Sequence, residues 1–277
     1  MSVILRPELN RNGLGHWPPV YGTVRGVNWN HPLNRGLIAW WVMNEGSGNL
    51  LHDLVRNLTL TVNGTYAWEY TTVGPALRFN GSDVYAMASD DSLVSGGADR
   101  TFRLWVNMAA SDGAEHIMLR HGQITFNSII ALELYQSKFF LSQYGDSFFS
   151  NGFYPYNAWT DVVVTINSGL WQLYFNGAAD AYKSMTTSTV LSPTSDLYIG
   201  CGEVIRGAWF NGWIKGIEIW NRALTAREVA ELNRCSFGTI DRPRLIYESR
   251  HLPMVGSGMP AIGANWWPFF IRYISES

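Results

Sequence analysis

The chain has 277 residues, of which 47% are hydrophobic and only 15% charged, so it holds enough apolar surface for a core and too little charge for bulk disorder. A net charge of −2 gives no general reason to bind nucleic acid or an anionic membrane. The longest apolar run, Leu37–Met43, is far too short to cross a bilayer.

Residues 1–35 read as an extended arm. They carry Pro7, Pro18, Pro19 and Pro32, four arginines against Glu8, and no sustained periodicity. Residues 36–235 form the body, where short apolar runs alternate with turn residues. The predicted strands are Leu37–Met43, Leu58–Val62, Ala76–Phe79, Val84–Ala88, Thr101–Asn107, His116–Leu119, Ile129–Leu134, Phe139–Gln143, Trp159–Ile166, Leu170–Phe175, Asp196–Cys201 and Gly212–Trp220. Several alternate with period two, as half-buried strands do. In Gly212–Trp220 that period puts Ile214, Gly216, Glu218 and Trp220 on one face and Lys215, Ile217 and Ile219 on the other. Strands 159–166 and 170–175 join across Asn167-Ser168-Gly169, and Asn176-Gly177 closes the second, a pair suited to a primed hairpin turn. About a dozen strands at this spacing predict a β-sandwich or barrel.

One helix is predicted, opening at Thr225. Thr225 and Glu228 form a capping box, and Val229 and Leu232 supply its apolar stripe. The body, with its helix as closing element, is expected to fold without either arm. Residues 236–277 form a tail that ends in NWWPFFIRYI beside a Gly-Ser-Gly joint. Soluble monomers rarely expose such a patch, so Trp266, Trp267, Phe269, Phe270 and Tyr273, with Trp17 and Trp29 of the arm, are the candidate assembly residues. The expected consequence is a homo-oligomer or a particle-bound subunit.

Chemistry is sparse. Retaining glycosidases need paired carboxylates, and on a strand these stand two residues apart. Glu133 and Glu218 each stand alone in their strands, so no catalytic residue is predicted and the chain is not expected to be an enzyme. Gly-x-Ser-x-Gly and P-loop motifs are absent from the sequence, and the six histidines show no ligand spacing. Cys201 and Cys235 lie 34 positions apart. That allows one disulfide, but two thiols fit better with an N-terminus that shows no secretory signal.

The body resembles the laminin G-like, concanavalin A-like jelly-roll domain. The segments that carry the resemblance are, in order, GLIAWWVMNEGSGNLLHDL, ALRFNGSDVYAM, TFRLWVN, AWTDVVVTINSGLWQLYFNG, LYIG and FNGWIKGIEIWNRALTAREVAEL. The resemblance implies an all-β antiparallel jelly-roll sandwich of two stacked sheets, with one short helix and extended N- and C-terminal arms. It also implies that any calcium would be held by rim loops. Asp53 and Asp83 stand in such turns, with Asn80, Asp90 and Asp91 nearby. Asp and Asn are equally ordinary turn formers, and no cofactor is expected. Sugar binding, the commonest binding role of such domains, would use rim aromatics; Phe153, Tyr154 and Tyr156 in GDSFFSNGFYPYNAW are the candidates.

The openings RPELNRN and VNWNHPLNRGLIAWW resemble those of jelly-roll proteins carried by tailed bacteriophages. This implies a structural virion protein made in the host cytoplasm: a head decoration, head fibre or tail-associated subunit that assembles through its arms. Its partners would be other virion proteins and copies of itself, with neither nucleic-acid binding nor membrane insertion. The alternative is a carbohydrate-binding adhesion module for host or surface glycans.

Overall fold

A computed structural model describes residues 26–89, 93, 96–109, 113–123, 128–143, 145–185, 196–202, 208–234 and 239–241. They form two antiparallel eight-stranded sheets and a two-stranded ribbon. The ribbon pairs β1 (Gly26–Val27) with β18 (Ile240–Asp241).

The back sheet contains β2 (Leu37–Trp41), β5 (Ala67–Thr71), β6 (Gly74–Asn80), β8 (Arg100–Met108), β13 (Thr160–Asn167), β14 (Leu170–Phe175), β15 (Ala178–Ser184) and β17 (Asn211–Trp220). Its order is β15-β14-β13-β8-β17-β6-β5, and β2 also pairs with β17. The front sheet contains β3 (Leu50–Leu51), β4 (Leu60–Asn63), β7 (Tyr85–Ser89), β9 (Glu115–Gly122), β10 (Ile129–Tyr135), β11 (Lys138–Ser142), β12 (Ser147–Phe149) and β16 (Asp196–Ile199). Its order is β12-β11-β10-β9-β16-β7-β4-β3. This is the expected jelly-roll sandwich.

Alternation builds the core. Phe102, Leu104 and Val106 of β8 and Val162, Val164 and Ile166 of β13 face the front sheet, where they meet Ile130, Leu132, Leu134, Leu141 and Leu197. The hairpins close as their residues require. Ser168 and Gly169, then Asn176 and Gly177, have positive φ, the backbone of a primed turn.

Every strand read from the sequence is present, with ends moved by a few residues. Four of the six additional strands, β3, β5, β12 and β15, lie at or next to sheet edges. Their inward faces are partial: β5 reads AWEYT and β15 AADAYKS. One face assignment is corrected. A bulge in β17 between Ile214 and Gly216 carries Ile214 into the core beside Ile217 and Ile219. The extra residue shifts the pleat by one, which strict alternation cannot foresee. Lys215 sits in that bulge, fully buried, and its Nζ donates to Pro75 O at 2.5 Å.

The helix α1 spans Ala226–Arg234. Its capping box forms as read: Thr225 N donates to Glu228 Oε2 at 2.8 Å, and Glu228 N to Thr225 Oγ1 at 3.3 Å. Val229 and Leu232 pack on Trp220, Val163 and Tyr174 of the back sheet's outer face.

The flanks belong partly to this second core. Residues 26–35, read as part of an extended arm, are folded onto the back sheet. His31 caps a 3-10 turn at Pro32–Asn34 by accepting from Leu33 N. Val27 and Leu33 are buried with Trp40 and Trp220, and Trp220 Nε1 donates to Leu33 O at 2.8 Å. Asn34 Nδ2 donates to Asn28 O and to Thr239 O, at 2.7 and 2.8 Å, tying the two flanks together. The packed unit therefore begins upstream of residue 36 and extends past 235. No helix among the described residues is long and apolar enough to cross a membrane.

Candidate functional site

The outer face of the front sheet holds a cleft of about 730 Å³. Strands β9, β10 and β11 supply Glu115, Ile117, Arg120, Ile129, Ala131, Glu133, Phe140 and Ser142; Asp146 and Ser147 come from the β11–β12 region and Lys183 from β15. Alternation places these groups. Ile130, Leu132 and Leu134 of β10 point into the core, so Glu133 points the other way.

Glu133 is a buried carboxyl of the cleft lining. It is 3% exposed, and its Oε1 accepts from Ser142 Oγ at 2.7 Å. The ladder sets Glu133 opposite Ile117 and Glu115 opposite Tyr135, which makes the two glutamates diagonal neighbours on one face. Burial, then contact with the Glu115 carboxyl, pushes the Glu133 pKa up to about 9. Glu133 Oε2 receives no N–H or O–H from a described residue.

The Arg120 guanidinium lies 4.4 Å over the Tyr198 ring, which is outside the lining. Tyr198 stacks on Tyr85 at 6.2 Å, and Tyr85 meets Trp209 at 6.0 Å. Phe140, the aromatic ring among the described lining residues, packs on Phe149 at 4.7 Å. There Lys183 reaches round the sheet edge to pair with Asp146 and to donate to Ser147 O at 3.0 Å.

The residues singled out in the sequence stand elsewhere. Phe153 is 74% exposed beneath Lys138 Nζ, 5.1 Å from its ring centroid. Tyr154 is a correction: it is 4% exposed and belongs to the core. Its hydroxyl accepts from Met108 N at 3.0 Å, and burial pushes its pKa up to about 12. Tyr156 packs edge-on against Tyr154 and donates to Ser137 Oγ at 2.8 Å. None of the three lines the cleft. Trp29 is exposed beside the ribbon. Trp17, Trp266, Trp267, Phe269, Phe270 and Tyr273 lie outside the described residues, as do Cys235, Asp90 and Asp91; Cys201 is buried.

The calcium candidates are engaged otherwise. Asp53 accepts from Trp40 N at 2.6 Å, Val55 N at 3.1 Å and Arg56 N at 2.7 Å. Asp83 accepts from Thr65 N and Oγ1 and from Asn80 Nδ2; the bonds from Asn80 and Thr65 hold its pKa below the usual value. Among the described residues no cluster of His, Cys, Asp and Glu could hold a metal ion.

Each strand glutamate is the one carboxylate of its own strand, as read from the sequence, but meets partners from neighbouring strands. Glu133 meets Glu115. Glu218, on the outer face of the back sheet, joins Arg103 and Asp161 in a buried network. Arg103 Nε donates to Asp161 Oδ1 and Nη1 to Glu218 Oε1, each at 2.8 Å, and Nη2 to Asp161 Oδ2 at 3.0 Å. Burial raises the Glu218 pKa, Arg103 opposing it; for Arg103, burial is outweighed by Asp161 and Glu218, and its pKa rises.

The family model Laminin_G_3, described as the concanavalin A-like lectin/glucanases superfamily, matches residues 79–230. The chain belongs to this superfamily. The match runs from β6 into α1 and contains every cleft strand. Domain 4 of AbnA, a GH43 extracellular arabinanase from Geobacillus stearothermophilus, solved with arabinotriose, superposes with a TM-score of 0.58. It is 21% identical over 71% of this chain and 98% of that one. The binding domain of Paraclostridial Mosquitocidal Protein 1 gives 0.60 at 17% identity, over 74% of this chain and 53% of that one. Trypanosoma rangeli sialidase with the inhibitor DANA gives 0.55 at 18% identity, over 72% and 32%. These likenesses show the fold. No curated protein matches the chain in sequence.

Proposed function

We propose that this chain is a glycan-binding adhesion module and that its ligand lies in the front-face cleft. The observation that carries the reading is the lining of that cleft. A buried carboxyl, a hydroxyl and a guanidinium converge beside the ring of Phe140, the mixture that fixes the hydroxyls and apolar faces of a sugar. The arabinanase domain solved with arabinotriose has the same fold, which supports the reading by analogy.

Binding without hydrolysis is the proposed activity. Retaining glycosidases hold their carboxyls about 5–5.5 Å apart across the scissile bond, and inverting ones hold them wider. Glu115 and Glu133 touch each other on one wall, leaving no room for a bond between them. A glycan array on the full-length protein tests the reading: selective retention of an oligosaccharide, lost in a Phe140→Ala, Arg120→Ala double variant, is expected. Release of reducing sugar would replace binding with catalysis.

A second reading, a structural subunit of a tailed-phage virion, is favoured by residues 30–37 and the flanks they tie together. Gly26 and Asp241 are paired, so the segments 1–25 and 242–277 start from adjacent points on the back of the sandwich, away from the cleft. A module attached through both flanks would present its cleft outward. The two readings are compatible, and mass spectrometry of purified particles is the test of the second.

A further inference from the structure

We infer that the cleft takes an uncharged, hydroxyl-rich saccharide and excludes acidic sugars, with Glu133 Oε2 as the atom that meets a ligand hydroxyl. The inference rests on the glycan reading above and names its ligand class.

Three observations carry it. First, Glu133 Oε2 is buried, lines the cleft and receives no N–H or O–H from a described residue. A buried polar atom in that state gains most from a hydrogen-bonding ligand. Second, charge in the cleft is already balanced. Glu115, Glu133 and Asp146 face Arg120 and Lys183, and one proton on the glutamate pair equalises the signs. The raised Glu133 pKa is consistent with that proton. Third, each cation of the cleft already stands beside an acid or an aromatic ring. Lys183 is paired with Asp146, and Arg120 lies over Tyr198 with 5% of its surface exposed. A sugar carboxylate that reached either cation would sit beside the carboxyls of Asp146, Glu115 and Glu133, which line the same cleft. Like charges brought together inside a site disfavour the wrong ligand as effectively as contacts favour the right one.

A protonated Glu133 acts as an amide would, accepting from Ser142 on one oxygen and donating from the other. Glu133→Gln should therefore bind as wild type does, while Glu133→Leu, of similar volume, should lose roughly tenfold in affinity. Glu115→Gln should narrow the preference for neutral sugars.

The test is an array of matched neutral and acidic oligosaccharides, such as lactose with sialyllactose and galactotriose with trigalacturonate, probed with full-length protein and the three variants. The expected result is neutral members bound about tenfold or more above their acidic partners, with Glu133→Gln retained and Glu133→Leu weakened. Acidic members bound as well as neutral ones would overturn the inference and leave the glycan reading standing. So would a Glu133→Gln variant as weak as Glu133→Leu, since the proton would then not be there. Binding of neither class removes the glycan reading and the inference together.

Discussion

The two outer faces of the sandwich bury charged groups in opposite ways. On the back, Arg103, Asp161 and Glu218 form a closed network: the guanidinium grips both carboxylates and also donates to Leu232 O of α1 at 3.4 Å. On the front, Glu133 is as deeply buried, yet one of its oxygens receives no donor from a described residue and its neighbour is another acid. The helix and residues 26–35 cover the first face; a cleft opens over the second. A buried charge with full partners holds elements together, whereas one lacking a partner sacrifices stability and leaves a place for a ligand.

Removing the centre of the closed network should have the largest effect. Arg103→Met leaves Asp161 and Glu218 buried without a cation, and a loss of about 3–5 kcal/mol is expected in urea unfolding. A loss below 1 kcal/mol would mean that the back face is no better satisfied than the front.

The cover of that face comes next. Leu33→Ala should cost about 2–4 kcal/mol, because the side chain is buried against Trp40 and Trp220. For the same reason a 36–235 fragment should melt well below a 26–241 fragment. Equal melting temperatures would return residues 26–35 to the status of a dispensable arm.

The front face should respond in the other direction. Glu133→Gln should stabilise the protein by about 1–3 kcal/mol at pH 7. Below the ordinary value of 4.5 the carboxyl is protonated whether folded or unfolded. Between 4.5 and about 9 the unfolded chain gives up that proton while the folded chain keeps it, so stability falls as pH rises through this window. Urea midpoints at pH 5 and pH 8.5 should draw apart less in Glu133→Gln than in wild type. An unchanged pH dependence would place the Glu133 charge in contact with water or with a cation.

The smallest effect should come from the cap of the covering helix. Thr225→Ala removes the acceptor for Glu228 N and should cost about 1 kcal/mol. Glycan binding should be unaffected, since α1 packs on the face opposite the cleft.

Local chemistry made most of the fold legible. Period-two alternation located the core strands because both sheets bury one face completely. Positive-φ turns at Ser168-Gly169 and Asn176-Gly177 and the Thr225–Glu228 box are decided within a few residues. The stretch 30–37 was visible only as a resemblance, yet each part has work in the structure. His31 caps, Pro32 starts the turn, Leu33 is buried and Asn34 ties the flanks. Gly36 adopts a φ of +77°, with Asn221 Oδ1 only 2.8 Å from where a Cβ would stand.

The site was not legible, because its pieces meet only through strand register. Glu115 and Glu133 are diagonal neighbours by virtue of the β9–β10 pairing and a bulge at Leu132/Glu133. Arg103 and Glu218 face each other across strands 115 residues apart. Tyr154 sits among polar loop-like residues, yet the fold swings it into the core. Residues a few positions apart set which face of most strands is apolar, where hairpins turn and where the helix starts. Which acids stand side by side and which share an arginine is settled only in the assembled sandwich. Such pairs are fixed by the stacking order and register of distant strands, and one inserted residue, as at Lys215, is enough to change them.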